Sequence, residues 1–113
     1  MSVRKLEKSD FRSFFDHLSK TLKGGEAEIE VASLALGDQV QTRWLPLLGL
    51  TYDPKDDVFE VALEGLDHLI HKPQDVYVDD SVGQLTSIEI IDADGGRQIV
   101  KLKEPLMLPP PHI

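Results

Sequence analysis

Four side chains are best suited to holding a ligand: Trp44, Tyr52, His68 and His71. Trp44 is the only Trp of the chain and Tyr52 one of its two Tyr. Both offer a large apolar face with a polar handle. His68 and His71 invite a metal reading. In a strand, residues three apart point to opposite faces, so the two rings cannot share one ion. In a helix they could, but spacing places no third ligand near them. His17 and His112 have no convincing partner either. Asp53, Asp56 and Asp57 form an acidic turn just after Tyr52, and Asp79 with Asp80 forms another. These turns could converge on a cation, although solvated loops are the ordinary explanation. Asp92-Ala93-Asp94-Gly95-Gly96 begins like a calcium loop. Such a loop needs a Glu at its twelfth position, and here that position is Lys103. A hairpin turn accounts for it. No metal and no cofactor are expected.

Catalytic signatures are missing. The chain has no G-x-S-x-G, no glycine-rich phosphate loop and no H-E-x-x-H. Glu60 with Glu64, or Asp67 beside His68, has the chemistry for acid–base work. Twenty Asp and Glu among 113 residues create such pairs by chance, so no catalytic residue is assigned. Without Cys there is no thiol nucleophile, disulfide or Cys-ligated zinc. The net charge is −8. It divides into +3 over residues 1–24 and −11 over the rest. An acidic body repels phosphate backbones, so no nucleic-acid partner is expected. No stretch approaches the roughly 20 apolar residues of a membrane span, and the charged N-terminus lacks a signal-peptide core. A cytoplasmic protein without a membrane partner is the expectation.

The elements that must position these residues follow from periodicity. Residues 9–23 read as one amphipathic helix. Phe11, Phe14, Phe15, Leu18 and Leu22 form its apolar stripe, with Ser9 as N-cap and Gly24-Gly25 as the stop. From Glu26 the period becomes two. A strand runs to Leu36, Gly37-Asp38 reads as a two-residue hairpin loop, and a second strand spans Gln39 to Leu45. Pro46 marks an edge or a bend. Leu47–Tyr52 resumes as strand, with Gly49 allowing a bulge. Val58–Leu63 is the next strand, with Phe59, Val61 and Leu63 inward. Leu66–His71 and Asp75–Val78 are short strands, and Asp79–Gly83 a loop. Leu85–Ile91 and Arg97–Lys103 form a final hairpin. Residues 104–113 are a Pro-rich tail. The pattern is a single domain over 1–113 of α+β class, an N-terminal amphipathic helix followed by six to eight antiparallel strands. A bent sheet or a small barrel would satisfy it.

The run from Leu45 to Asp57, continuing through Val58-Phe59-Glu60-Val61, resembles an uncharacterised family of small bacterial proteins, a domain of unknown function. Asp67–His71, Leu85–Ile91, Ala93-Asp94-Gly95 and the N-terminal Phe14-Phe15 are similar to it as well. The likeness covers most of the chain. It implies a self-contained bacterial domain and carries no activity with it. A shape-level analogy to Sm-like barrels is weaker, because the acidic balance and the extra C-terminal hairpin count against it.

The expected function is a non-enzymatic protein-interaction module, with a second copy or another protein as partner. The alternative is a small-ligand or cation site near Trp44, Tyr52 and the acidic turns. Within Trp44–Tyr52, simple alternation turns Trp44, Leu48, Leu50 and Tyr52 inward. Leu45, Leu47 and Thr51 would then need another cover.

Overall fold

The computed structural model describes residues 2–20, 25–33, 37–81 and 84–107. A first strand, β1 (Ser2–Leu6), leads into a single 3-10 turn (Lys8–Asp10) and helix α1 (Phe11–Ser19). Seven strands follow: β2 (Glu26–Ser33), β3 (Gly37–Asp53), β4 (Val58–Leu63), β5 (Leu66–His71), β6 (Asp75–Ser81), β7 (Gln84–Ile91) and β8 (Arg97–Met107). The order across the sheet is β1-β6-β7-β8-β2-β3-β4-β5. Every pairing is antiparallel. Among the described residues β1 and β5 end the sheet, so it is bent and open rather than a closed barrel.

The bend lies in β3. Its first half pairs with β2 as far as Glu26↔Pro46, and its second half pairs with β4 from Leu47↔Leu63. Proline cannot donate to a ladder, so the change of partner falls where a donor is missing anyway. Leu47 N–H donates to the Gly25 carbonyl (2.8 Å), and Glu64 N–H to the Pro46 carbonyl (2.9 Å). The half-sheet β3-β4-β5 curls back over the rest. His68 on β5 reaches Gln98 on β8, although β2, β3 and β4 separate those strands in the sheet.

Helix α1 packs on the inner side of this curl. Phe11, Phe15 and Leu18 are fully buried. Phe15 meets Phe59 edge-on at 4.6 Å, and Phe11 meets Tyr52 edge-on at 5.3 Å. Such pairs add to the hydrophobic term of burial. At the end of the helix, Ser19 Oγ donates to the Leu50 carbonyl (2.6 Å) and accepts from Leu50 N–H (3.0 Å). One side chain thereby satisfies both backbone groups that β3 turns away from β4 at this point.

Several sequence expectations change. β1 was unforeseen: Leu6 buries itself opposite Val76, and Lys5 pairs with Asp75 at 3.1 Å. Ser9 falls inside the 3-10 turn, so the position before the helix is Asp10, whose side chain makes no capping bond. Leu22 and the expected stop at Gly24 lie outside the described residues. Gly37 and Asp38 pair with Ser33 and Ala32, so they are ladder positions of β3, not a loop. β6 continues to Ser81, and β8 runs through Pro105 to Met107. Pro105 is tolerated because the β7–β8 register shifts between Leu85 and Ser87, which frees residues 103–105 from regular pairing.

The largest correction concerns Trp44–Tyr52. Leu47 is buried, Leu48 is 63% exposed and Trp44 is 39% exposed, while Leu50 and Tyr52 are buried. The register shifts between Leu47 and Gly49, which makes Leu48 the extra residue of a β-bulge. One added residue reverses the alternation, so Leu47 faces the core and Leu48 faces solvent.

Candidate functional site

The β3–β4 loop and α1 enclose an open cleft of about 620 Å³. Tyr52, Pro54, Val58 and Leu69 supply apolar wall. Asp16, Asp53, Asp56 and Glu60 supply carboxylates, against Arg12 and Lys55. Some of that charge is internally satisfied. Asp53 Oδ1 accepts from Lys55 N–H (2.9 Å), an Asx turn, and Arg12 lies 3.9 Å from Asp16. Such a volume suits a small ligand. Among the described residues no group of three His, Asp or Glu is placed to hold a metal ion.

Tyr52 serves the fold at the base of this cleft. Its hydroxyl donates to Asp57 Oδ1 at 2.6 Å, and Lys8 Nζ lies 3.2 Å from the same oxygen. Burial and the Asp57 carboxylate push the Tyr52 hydroxyl up to about 12. The hydrogen bond from Tyr52 holds the Asp57 carboxyl below the usual carboxylate range. Tyr52 is therefore a neutral donor and Asp57 an anion at neutral pH, and neither is poised to exchange a proton there. Asp57 also takes a left-handed backbone conformation (φ 54°), and its carbonyl accepts from Lys72 N–H at 2.7 Å. It ties the N-terminal turn, β3 and the end of β5 together.

This pair sets a pH dependence. The ordinary Tyr value is 10.0 and the folded value about 12. The Tyr52 contribution is thus complete below pH 10 and fades as pH rises through about 12. The Asp57 value is lowered, so its contribution holds at neutral pH and is lost as pH falls through that lowered value. Replacing Tyr52 by Phe is expected to cost about 1–2 kcal/mol at neutral pH. In denaturant titrations the gap between wild type and Y52F should shrink once pH passes 10. A gap that is constant with pH would show that the Tyr52 hydroxyl is not the group responsible.

His68 points to the inner face of β5, half-buried, and its Nε2 lies 2.5 Å from Gln98 Oε1. Gln98 Nε2 donates to Asp92 Oδ2 (3.1 Å), which makes the ring nitrogen the donor toward Gln98. Asp92 Oδ1 in turn accepts from the N–H groups of Asp94 (3.0 Å) and Gly96 (2.8 Å). A Cβ on Gly96 would stand 2.8 Å from Asp92 Oδ2, so any larger residue there must push the Asp92 carboxylate out of place. The chain His68–Gln98–Asp92 bolts the curled half-sheet to the β7–β8 turn. The partner of His68 Nε2 is thus an amide and not a carboxylate. Asp67, its neighbour in sequence, points to the opposite face of β5.

The four ligand candidates are not gathered into one place. Tyr52 lies under the cleft, and Trp44 sits eight residues earlier on β3, beyond the bend. His71 is exposed at the end of β5, in register with Val58 and Asp53. His68 and His71 do face opposite sides of their strand. The sequence places Asp57 only as one member of an acidic turn and allows a bulge at Gly49 without fixing the inserted residue, which is Leu48; nothing in it singles out Gln98. The spacing of Tyr52 and Asp57 across a turn was a usable signal; the His68–Gln98 contact depends on the curl and had none.

The molecule is thus a bent antiparallel sheet braced by one short helix, with a small open cleft. Residues 2–111 match the model of a family of unknown function, DUF5335, and the chain belongs to that family. An uncharacterized protein of Aquifex aeolicus (strain VF5) is 44% identical over 110 residues, which cover 96% of this chain and 99% of that relative. No solved structure matches. Among the described residues no helix is long and apolar enough to cross a membrane.

Proposed function

We propose that this protein is a non-enzymatic interaction module of the bacterial cytoplasm that works by self-association. One observation carries the reading. Of the five large hydrophobic side chains exposed among the described residues, four lie on β3 and β5: Trp44, Leu48, Leu66 and Leu69. Leu48 and Leu66 sit at the same end of the curled half-sheet, beside the row Leu47–Leu63–Leu66. Among the described residues β5 ends the sheet, so an open row of backbone donors and acceptors runs beside Leu66 and Leu69, one on each face of the strand. Edges of this kind are templates for a further strand. Light scattering of the full chain at rising concentration is expected to show a mass above that of one chain. A strict monomer throughout would overturn the reading.

A second reading rests on the cleft at Tyr52 and the Asp53–Asp56 turn. Its carboxylates suit a small ligand carrying a positive charge. A thermal-shift series with small amines should then raise the melting temperature, and Asp56→Asn combined with Glu60→Gln should abolish the shift. No stabilised member of the series would remove this reading.

A further inference from the structure

The two ends of the sheet differ in how they are guarded. β1 carries Arg4 and Lys5, and charged side chains on an edge discourage a further strand. β5, Leu66-Asp67-His68-Leu69-Ile70-His71, has no Lys or Arg and a single charged side chain, Asp67, and its Leu66 and Leu69 are 41% and 47% exposed.

The ladder fixes which backbone groups of β5 are free. Lys72 N–H donates to the Asp57 carbonyl, so Asp57 and Lys72 are a hydrogen-bonded pair. The register continues unbroken from Val58↔His71 to Leu63↔Leu66. Hydrogen-bonded pairs alternate along an antiparallel ladder. Ile70, His68 and Leu66 therefore bond to β4, while Asp67, Leu69 and His71 turn their N–H and C=O groups outward. The side chains of these three residues also share one face, away from the core, and all three are exposed.

We infer that β5 pairs antiparallel with β5 of a second copy, about a two-fold axis through Leu69. This rests on the self-association reading and names the surface. A two-fold axis at Leu69 sets Leu69 against Leu69 of the other copy, Asp67 against His71, and His71 against Asp67. Every outward backbone group of the three residues then meets an outward group of the other strand. Directly opposed residues share a face, so the exposed leucines cover each other and each carboxylate faces an imidazole. Moving the axis to residue 68 or 70 keeps the backbone parity but sets Leu69 against Asp67 or against His71. Side-chain chemistry thus selects the register centred on Leu69. The product joins the β3-β4-β5 half-sheets of the two copies edge to edge, uses up both β5 edges and leaves the β1 edges outside.

Sedimentation equilibrium of the full chain and three variants tests this. His71→Glu sets two carboxylates opposite each other at both ends of the interface and is expected to weaken the dimer about tenfold. Asp67→Lys combined with His71→Glu restores opposite charges and should return the dissociation constant to the wild-type range. Leu69→Pro removes the central outward N–H without taking a bond from β4 and should leave a monomer. A wild-type dimer that all three variants leave unchanged would overturn this interface while the self-association reading stands. A wild type that stays monomeric at millimolar concentration overturns both. If Leu69→Pro fails to fold, the charge reversal and its rescue decide alone, because both positions are exposed.

Discussion

Replacing Phe15 by Ala is expected to lower the folding stability by about 3–5 kcal/mol. That is a large share of the roughly 5–15 kcal/mol of a domain this size. Phe15 is fully buried, with the Phe59 ring at 4.6 Å and the Phe14 ring at 5.2 Å, both edge-on. Helix α1 has nine residues, too few to persist without tertiary support. Its place in the fold depends on this apolar face and on Ser19 at its end. The cavity left by Phe15→Ala would open between the helix and β4, where little can move in to fill it. Urea denaturation measures the loss, with Phe14→Ala as the comparison. Phe14 is only partly buried, so its truncation should cost less. An equal or smaller loss for Phe15→Ala would show that the helix is not held by this face.

The second large effect is expected at Asp57. Asp57→Ala leaves the buried Tyr52 hydroxyl without its acceptor, at about 1–3 kcal/mol. It also places a Cβ-bearing residue of low left-handed tendency at φ 54°, which adds about 1 kcal/mol. The exposed Lys8 contact adds little. The two larger effects can be separated by substitution. Asp57→Asn keeps an acceptor and tolerates the backbone, so it should cost least. Asp57→Gly relieves the backbone but strands Tyr52, so it should fall between Asn and Ala. Melting of the three variants gives the order. Equal losses for Gly and Ala would remove the backbone part of the account, and a loss for Asn matching that for Ala would remove the hydrogen-bond part.

β4 and β7 were legible because alternation leaves one face buried, while β6 and β8 run past the expected ends at Val78 and Lys103. Phe59, Val61 and Leu63 are buried just as their period implies. The Phe stripe of the helix was legible for the same reason. Three things were not. β1 is short and charged, and only the tertiary pairing of Leu6 with Val76 makes it a strand. A bulge is allowed by Gly49, but no periodicity says that Leu48 is the inserted residue, and that insertion exchanges the environments of Leu47 and Leu48. The curl of the half-sheet brings His68 to Gln98 across 30 positions, a contact with no local signature. The candidate site was legible as a region, Tyr52 and the acidic turn. Its internal wiring was not, because Tyr52 bonds to the last Asp of that turn and is held under the cleft. The uncovered edge was half legible: unplaced leucines were apparent, and their positions on β3 and β5 needed the register.

The claim that β5 is the edge through which copies associate is tested most directly by amide hydrogen exchange at Leu69, followed as protein concentration rises. The Leu69 N–H points away from β4 and exchanges freely in a lone chain. The Ile70 N–H is bonded to β4 and serves as the internal reference. Leu69 protection is expected to climb with concentration while that of Ile70 stays constant. Free exchange of Leu69 at every concentration would contradict it.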